Sequence, residues 1–186
     1  MDAIASSPSS PRPVRHRRRP VAAAVLVAVL VGVLGLSACS GDGGDGASGD
    51  PLPEATLIDL GTGEPASWPE AGTPVVVNLW ASWCTPCRKE MPDFEEVSQE
   101  LGDQVAIVGV TDETDLDAAR DAADQAGVTY PLLVDEGQTV LVDLEVTGLP
   151  GTVFVDADGQ VVGRHLGAMT ADDLRGEIEE RYGITT

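Results

Sequence analysis

Cysteines and basic residues are both scarce in this chain of 186 residues. It has three cysteines, two histidines and 11 lysines and arginines, against 31 aspartates and glutamates. Five of the basic residues lie within the first 19 positions, so residues 39–186 keep six basic and 30 acidic residues, a formal charge of −24. This charge argues against nucleic acid or anionic lipid headgroups as electrostatic partners, and no nucleic acid partner is expected.

The few cysteines also limit what the chain can bind. Cys84 and Cys87 are separated by two residues, and the only other candidate zinc ligands of this kind are Cys39, His16 and His165. A zinc site needs four ligands, usually from a second pair of this type, so no metal and no other cofactor is expected. Residues 50–186 contain no cysteine besides this pair and so no structural disulfide, which leaves redox chemistry as the use of the pair if the chain is exported.

Residues 1–38 have the layout of a secretory signal peptide. Five arginines precede an uncharged apolar run of 16 residues, 21–36, which is shorter than the roughly 20 residues that cross a bilayer as a helix. The sequence Leu36-Ser37-Ala38-Cys39 resembles a lipobox, in which bacterial signal peptidase II cuts before the cysteine and leaves it as an acylated N-terminal residue. An ordinary Cys39 thiol beside another cleavage site, or an uncleaved anchor, stays open as the alternative.

The rest of the chain divides into a tether and one domain. Residues 40–49 consist of glycine, aspartate, serine and one alanine, a composition that offers no apolar surface to offset ordering. We therefore expect residues 39–51 to be a lipidated flexible tether and residues 52–186 to form one domain.

The segment Trp83-Cys84-Thr85-Pro86-Cys87 carries the chemistry. It follows residues 75–81, an almost continuously apolar run that predicts a strand buried on both faces, and it begins a helix predicted to end near Leu101. Residues three apart share a helical face, so the two thiols lie close enough to form and reopen a disulfide. The free amides and positive dipole end at a helix N-terminus favour a thiolate there.

This motif resembles the thioredoxin superfamily, and its C-x-P-C form most resembles the extracytoplasmic branch that includes the cytochrome c maturation proteins. The resemblance covers about residues 52–182. It implies an α/β thioredoxin fold with a mixed sheet flanked by helices, an N-terminal hairpin over about residues 56–68 and an inserted segment between about 127 and 146. The alternation of predicted strands and helices agrees with this fold class.

The resemblance also assigns roles around the pair. Pro150, in Gly148-Leu149-Pro150, stands where the superfamily has a cis-proline packed against the redox pair, beside backbone groups that bind an extended substrate. The resemblance also implies that the residues next to the redox pair and to Pro150 contact the substrate. These residues are Trp83, Thr85, Pro86 and Leu149.

Glu90 matches the acidic residue that this branch carries beside its disulfide. Helical spacing places it on the face of Cys87, where a carboxylate would raise the pKa of a thiol and could shuttle protons. A solvated ion pair with a nearby lysine or arginine is the alternative for Glu90. Asn78 stands where general thioredoxins have a buried aspartate, and asparagine cannot act as a base.

We expect an extracytoplasmic, membrane-anchored thiol-disulfide oxidoreductase in which Cys84 attacks and Cys87 resolves the mixed disulfide. The resembled branch reduces protein disulfides, for example in apocytochrome c, with electrons from a membrane thiol donor. An oxidase that forms disulfides in exported proteins is the alternative with the same chemistry, with a membrane thiol acceptor, and a non-enzymatic binding lipoprotein is another. Ala81 argues against a peroxiredoxin-type peroxidase, which needs threonine at that position.

Overall fold

The computed structural model describes residues 49–185, so the predicted signal peptide and Cys39 lie outside the described residues. Within this range no helix is long and apolar enough to cross a membrane. The strands are β1 Leu57–Asp59, β2 Pro65–Ala66, β3 Val75–Leu79, β4 Ala106–Thr111, β5 Leu132–Asp135, β6 Gly151–Val155 and β7 Val161–Leu166. The helices are α1 Thr85–Leu101, α2 Leu116–Ala126, α3 Val140–Asp143 and α4 Ala171–Tyr182.

The described strands form one mixed sheet in the order β2-β1-β5-β4-β3-β6-β7. Strands β3, β4 and β5 run parallel, whereas β1 and β2 on one side and β6 and β7 on the other pair antiparallel. The predicted α/β thioredoxin fold and its N-terminal hairpin are thereby confirmed. The predicted insert, residues 127–146, supplies β5 and α3, and β5 enters the sheet between β1 and β4.

Strand β3 forms the centre of the core because all five of its residues are buried. Its alternate residues divide between the two faces of the sheet. Val76 packs with α1 and α4, and Trp80, which follows the strand, packs with α1 and α2. Val75, Val77 and Leu79 face the other side, which α3 and apolar residues of the N-terminal segment cover.

The N-terminal residues of the described range are paired with the end of the sheet. The carbonyl of Asp50 accepts from the N–H of Val161 at 2.9 Å, and the N–H of Leu52 donates to the carbonyl of Gly159 at 3.1 Å. Pro51 forms a β-bridge with Gln160 between these bonds. The last two residues of the predicted tether therefore lie against the β6–β7 hairpin.

Candidate active site

The redox pair lies where β3 passes into α1. Cys84 is the N-cap of α1, and the N–H of Cys87 donates to its Sγ at 3.2 Å. The two cysteines form a disulfide with their Cα atoms 5.3 Å apart. Cys84 is 4% exposed and Cys87 is fully buried, so Cys84 is the one that a partner can reach.

The residues around the buried redox pair are exposed. Trp83 is 70% exposed, and Thr85 and Pro86 are exposed beside it. These three exposed residues form the surface around Cys84 that another molecule can contact.

The segment before β6 brings Pro150 to the same end of the sheet. The Leu149–Pro150 peptide bond is cis, Pro150 is buried and Leu149 is half-buried. Gly151, which follows the proline, pairs with Leu79 at the end of β3 from which the redox turn departs. The backbone thus places Pro150 next to the β3–α1 connection.

Glu90 is buried in the interior, with only 2% of its surface exposed, and it forms no ion pair with any residue of the range 49–185. Its Oε1 accepts from the side-chain amide of Asn78 at 2.8 Å, and its Oε2 accepts from the backbone N–H of Met169 at 3.0 Å. Asn78 is fully buried on β3, and Met169 lies just before α4. Glu90 therefore ties α1 to the central strand and to the start of the last helix.

Burial raises the pKa of Glu90 to about 7, from an ordinary value of 4.5. The hydrogen bonds from Asn78 and Met169 act in the opposite direction, and the nearby charge of Asp93 raises the value a little. The carboxyl can therefore gain or lose a proton close to neutral pH. A group of this kind can exchange protons during thiol chemistry on the same helix.

Two contacts at this site have no local signal in the sequence. The amide of Met169 reaches Glu90 across 79 positions, and the Ser82–Glu113 contact joins residues 31 positions apart. A backbone amide leaves no mark in a sequence. Glu113 could have been suspected only because carboxylates after a buried strand often gather at the carboxyl edge of a parallel sheet.

Comparison with known proteins places this fold and site in a family. The redoxin family model matches residues 47–179. The chain belongs to the redoxin family. This redoxin is 33% identical to the thioredoxin-like protein YneN of Bacillus subtilis over 135 residues. The aligned region covers 70% of this chain and 78% of YneN.

Two further relatives agree with this placement. The thiol-disulfide oxidoreductase ResA of Geobacillus thermodenitrificans is 32% identical over 136 residues, covering 72% of this redoxin and 77% of ResA. The exposed lipoprotein thioredoxin Etrx1 of Streptococcus pneumoniae has a crystal structure that matches with a TM-score of 0.57 at 27% identity, covering 67% of this redoxin and 97% of Etrx1. With the Cys84–Cys87 disulfide in place, this redoxin is a thiol-disulfide oxidoreductase.

Proposed function

We propose that this redoxin is an extracytoplasmic, lipid-anchored reductase of protein disulfides, with oxidised apocytochrome c as its substrate class. The Cys84 thiolate attacks one sulfur of the partner disulfide, forms a mixed disulfide and releases one partner thiolate. Cys87 then attacks the Cys84 sulfur, which releases the second partner thiolate. Two electrons pass to the partner, the two thiol protons end on its thiols, and a membrane thiol donor reduces the Cys84–Cys87 disulfide again.

The buried carboxyl of Glu90 supports the proposal that the protein reduces its partner's disulfide rather than forming one. It lies one helical turn beyond Cys87, where neighbouring side chains are about 5–6 Å apart at Cβ. A carboxylate there disfavours a thiolate, and a poorly stabilised thiolate makes the dithiol form less stable relative to the disulfide. Strong oxidants of this fold have the opposite property, a stabilised reduced form. Glu90 therefore favours a reductant.

The reduction potential of the Cys84–Cys87 couple tests the direction. We expect a value near the about −270 mV of thioredoxin and well below the about −120 mV of the strong oxidant DsbA. Equilibration of residues 39–186 with glutathione buffers, followed by alkylation and mass spectrometry, gives the number. A reduction potential near about −120 mV would instead support the alternative, an oxidase that introduces disulfides into exported proteins.

The substrate class is supported by the resemblance to the cytochrome c maturation branch and by the surface beside Pro150. Trp83, Pro86 and Leu149 would offer apolar contacts to a substrate there, and the resemblance implies that backbone groups beside Pro150 bind an extended peptide. A peptide with an oxidised C-x-x-C-H segment should be reduced faster than insulin by the dithiol form. Equal rates would argue against this preference, and no reduction of either would favour a non-enzymatic binding lipoprotein.

The location rests on the predicted signal peptide and lipobox. The name of Etrx1 describes an exposed lipoprotein, and it matches this redoxin over 97% of its own chain. Two or more acyl chains anchor a protein stably where one does not. Cys39→Ser should therefore move the protein from the membrane fraction to the soluble extracytoplasmic fraction, and unchanged membrane retention would indicate an uncleaved anchor instead.

A further inference from the structure

Glu113 holds the turn that precedes the redox pair. It lies in the loop between β4 and α2, and its Oε2 accepts from the backbone N–H of Ser82 at 2.6 Å. Its Oε1 accepts from the Ser82 hydroxyl at 2.7 Å. Hydrogen bonds to an ionised group are about twice as strong as neutral ones. One carboxylate thus fixes both the backbone and the side chain of Ser82.

Glu113 is itself oriented by the end of β4. Its backbone N–H donates to the hydroxyl of Thr111 at 3.3 Å, and that hydroxyl in turn lies 3.5 Å from Glu113 Oε2. Thr111 is fully buried. The buried hydroxyl at the end of β4 therefore fixes the direction of the Glu113 carboxylate.

Ser82 lies at the centre of that turn. The N–H of Cys84 donates to the carbonyl of Ala81 at 3.1 Å, which makes Ser82 and Trp83 the two central residues. Trp83 is 70% exposed and gives the turn little packing of its own. In the oxidised protein the disulfide also ties Cys84 to α1. After reduction that covalent link is gone, so the Ser82–Glu113 contact contributes more to the dithiol form.

We propose that Glu113 is a positioning residue for disulfide exchange, which acts through Ser82 to keep Cys84 at the N-cap of α1 in the reduced protein. There the free N–H groups of the first helical turn stabilise the thiolate. The inference rests on the proposed role of Cys84 as the attacking thiol. It concerns the solvent side of the redox pair, whereas Glu90 acts from the buried side.

The primary test is Ser82→Ala, which removes one of the two hydrogen bonds and keeps the charge of Glu113. The equilibrium constant for reduction of the Cys84–Cys87 disulfide by glutathione should fall about three- to tenfold, and a tenfold fall equals about 30 mV. The pKa of Cys84, followed by thiolate absorbance, should rise. Thr114→Ala is the matched control, since Thr114 is exposed beside Glu113, and it should leave both values unchanged.

A double-mutant cycle separates positioning from general destabilisation. In a Glu113→Ala background Ser82→Ala should change the equilibrium constant much less than it does alone. Glu113→Gln, which keeps one acceptor oxygen, replaces Glu113→Ala if that variant does not fold, and the Ser82→Ala effect should then be reduced. An unchanged equilibrium constant in Ser82→Ala, or an effect as large in the Glu113 variant as alone, would overturn the proposal.

The readouts use only glutathione and the protein's own cysteines. A failure to reduce apocytochrome c would therefore contradict the proposed function and leave the result for Glu113 intact. Equal losses of unfolding free energy in the oxidised and reduced forms of Ser82→Ala, with no shift in potential, would assign the contact a purely structural role.

Discussion

At the scale of single residues, the pairing of Asn78 with Glu90 suits a carboxyl that changes its charge. The amide nitrogen of Asn78 donates to Glu90, while the Asn78 Oδ1 atom is buried without a partner among the described residues. Rotation of the amide by 180° would present that oxygen to a protonated Glu90, which has an O–H to donate. Asparagine can therefore serve both protonation states, whereas an aspartate would place two carboxyls together.

Glu90→Gln should lower the pKa of Cys84 and slow exchange with a protein disulfide while the fold stays intact. The variant loses a buried charge, and glutamine can accept from Met169 while it donates to the rotated Asn78. Thiolate absorbance against pH and stopped-flow formation of the mixed disulfide measure the two effects. Exchange can slow although thiolate is more abundant, because nucleophilicity falls as thiol pKa falls.

The control for this experiment is Glu179→Gln, a change of an exposed glutamate on α4. Its curves should superimpose on those of the wild type. If the Glu90→Gln curves do so as well, Glu90 has no influence on the redox pair and its assignment is wrong.

At the scale of secondary-structure elements, β4 approaches its neighbours at Gly109 more closely than a side chain would permit. A Cβ at Gly109 would lie 2.5 Å from Leu132 Cδ2, 3.1 Å from Trp80 Nε1 and 3.2 Å from Tyr130 Cε2. Two of these atoms belong to buried aromatic rings, which have little freedom to move. The glycine is thus required by the packing of β4 against the residues next to β3 and β5.

Gly109→Ala should destabilise the protein by about 1–3 kcal/mol, the usual cost of overpacking a core. Gly176→Ala is the matched comparison, because a Cβ there meets no atom within 4 Å and the position lies within α4. It should stabilise the protein by about 0.5–1 kcal/mol, the usual gain from replacing glycine inside a helix. Urea unfolding of both variants measures these values, and equal signs would contradict the packing argument.

Local sequence patterns were sufficient to predict most helices and strands. They did not predict the strand order or the contacts between residues that are far apart in the sequence. The apolar run before the redox motif predicted β3, and the cysteine spacing predicted the disulfide at the start of α1. The position of β5 between β1 and β4 has no signal in its own residues, because it depends on which strands are free to pair. The same holds for Ser82 with Glu113 and Glu90 with Met169, contacts that exist only once the sheet order is set.

At the scale of the whole molecule, Glu90 makes stability depend on pH in the direction opposite to that of a salt-bridged carboxylate. Its pKa of about 7 in the folded state exceeds the ordinary value of 4.5, so the folded state binds more protons between these pH values. The contribution of Glu90 to stability is therefore largest while Glu90 is protonated, and it falls as pH rises from about 4.5 to about 7.

The free energy of unfolding should fall by up to about 3 kcal/mol more in the wild type than in Glu90→Gln across this range. The two proteins share every other titrating group, so the difference between their curves isolates Glu90. Urea unfolding of the oxidised forms at several pH values measures it. Parallel curves would mean that Glu90 titrates in the folded protein as it does in the unfolded chain.

The pairing of Asp50 and Leu52 with the β6–β7 hairpin places the start of the described range at the end of the domain opposite the redox pair. These residues join at Gly159 and Val161, whereas Pro150 and the redox turn lie at the other end of β6, about 15 Å away along the strand. A lipid on Cys39 would hold the domain from its rear, through ten residues that extend to at most about 35 Å. A linker of that length would let the disulfide reach protein partners away from the bilayer as well as a thiol donor in the membrane.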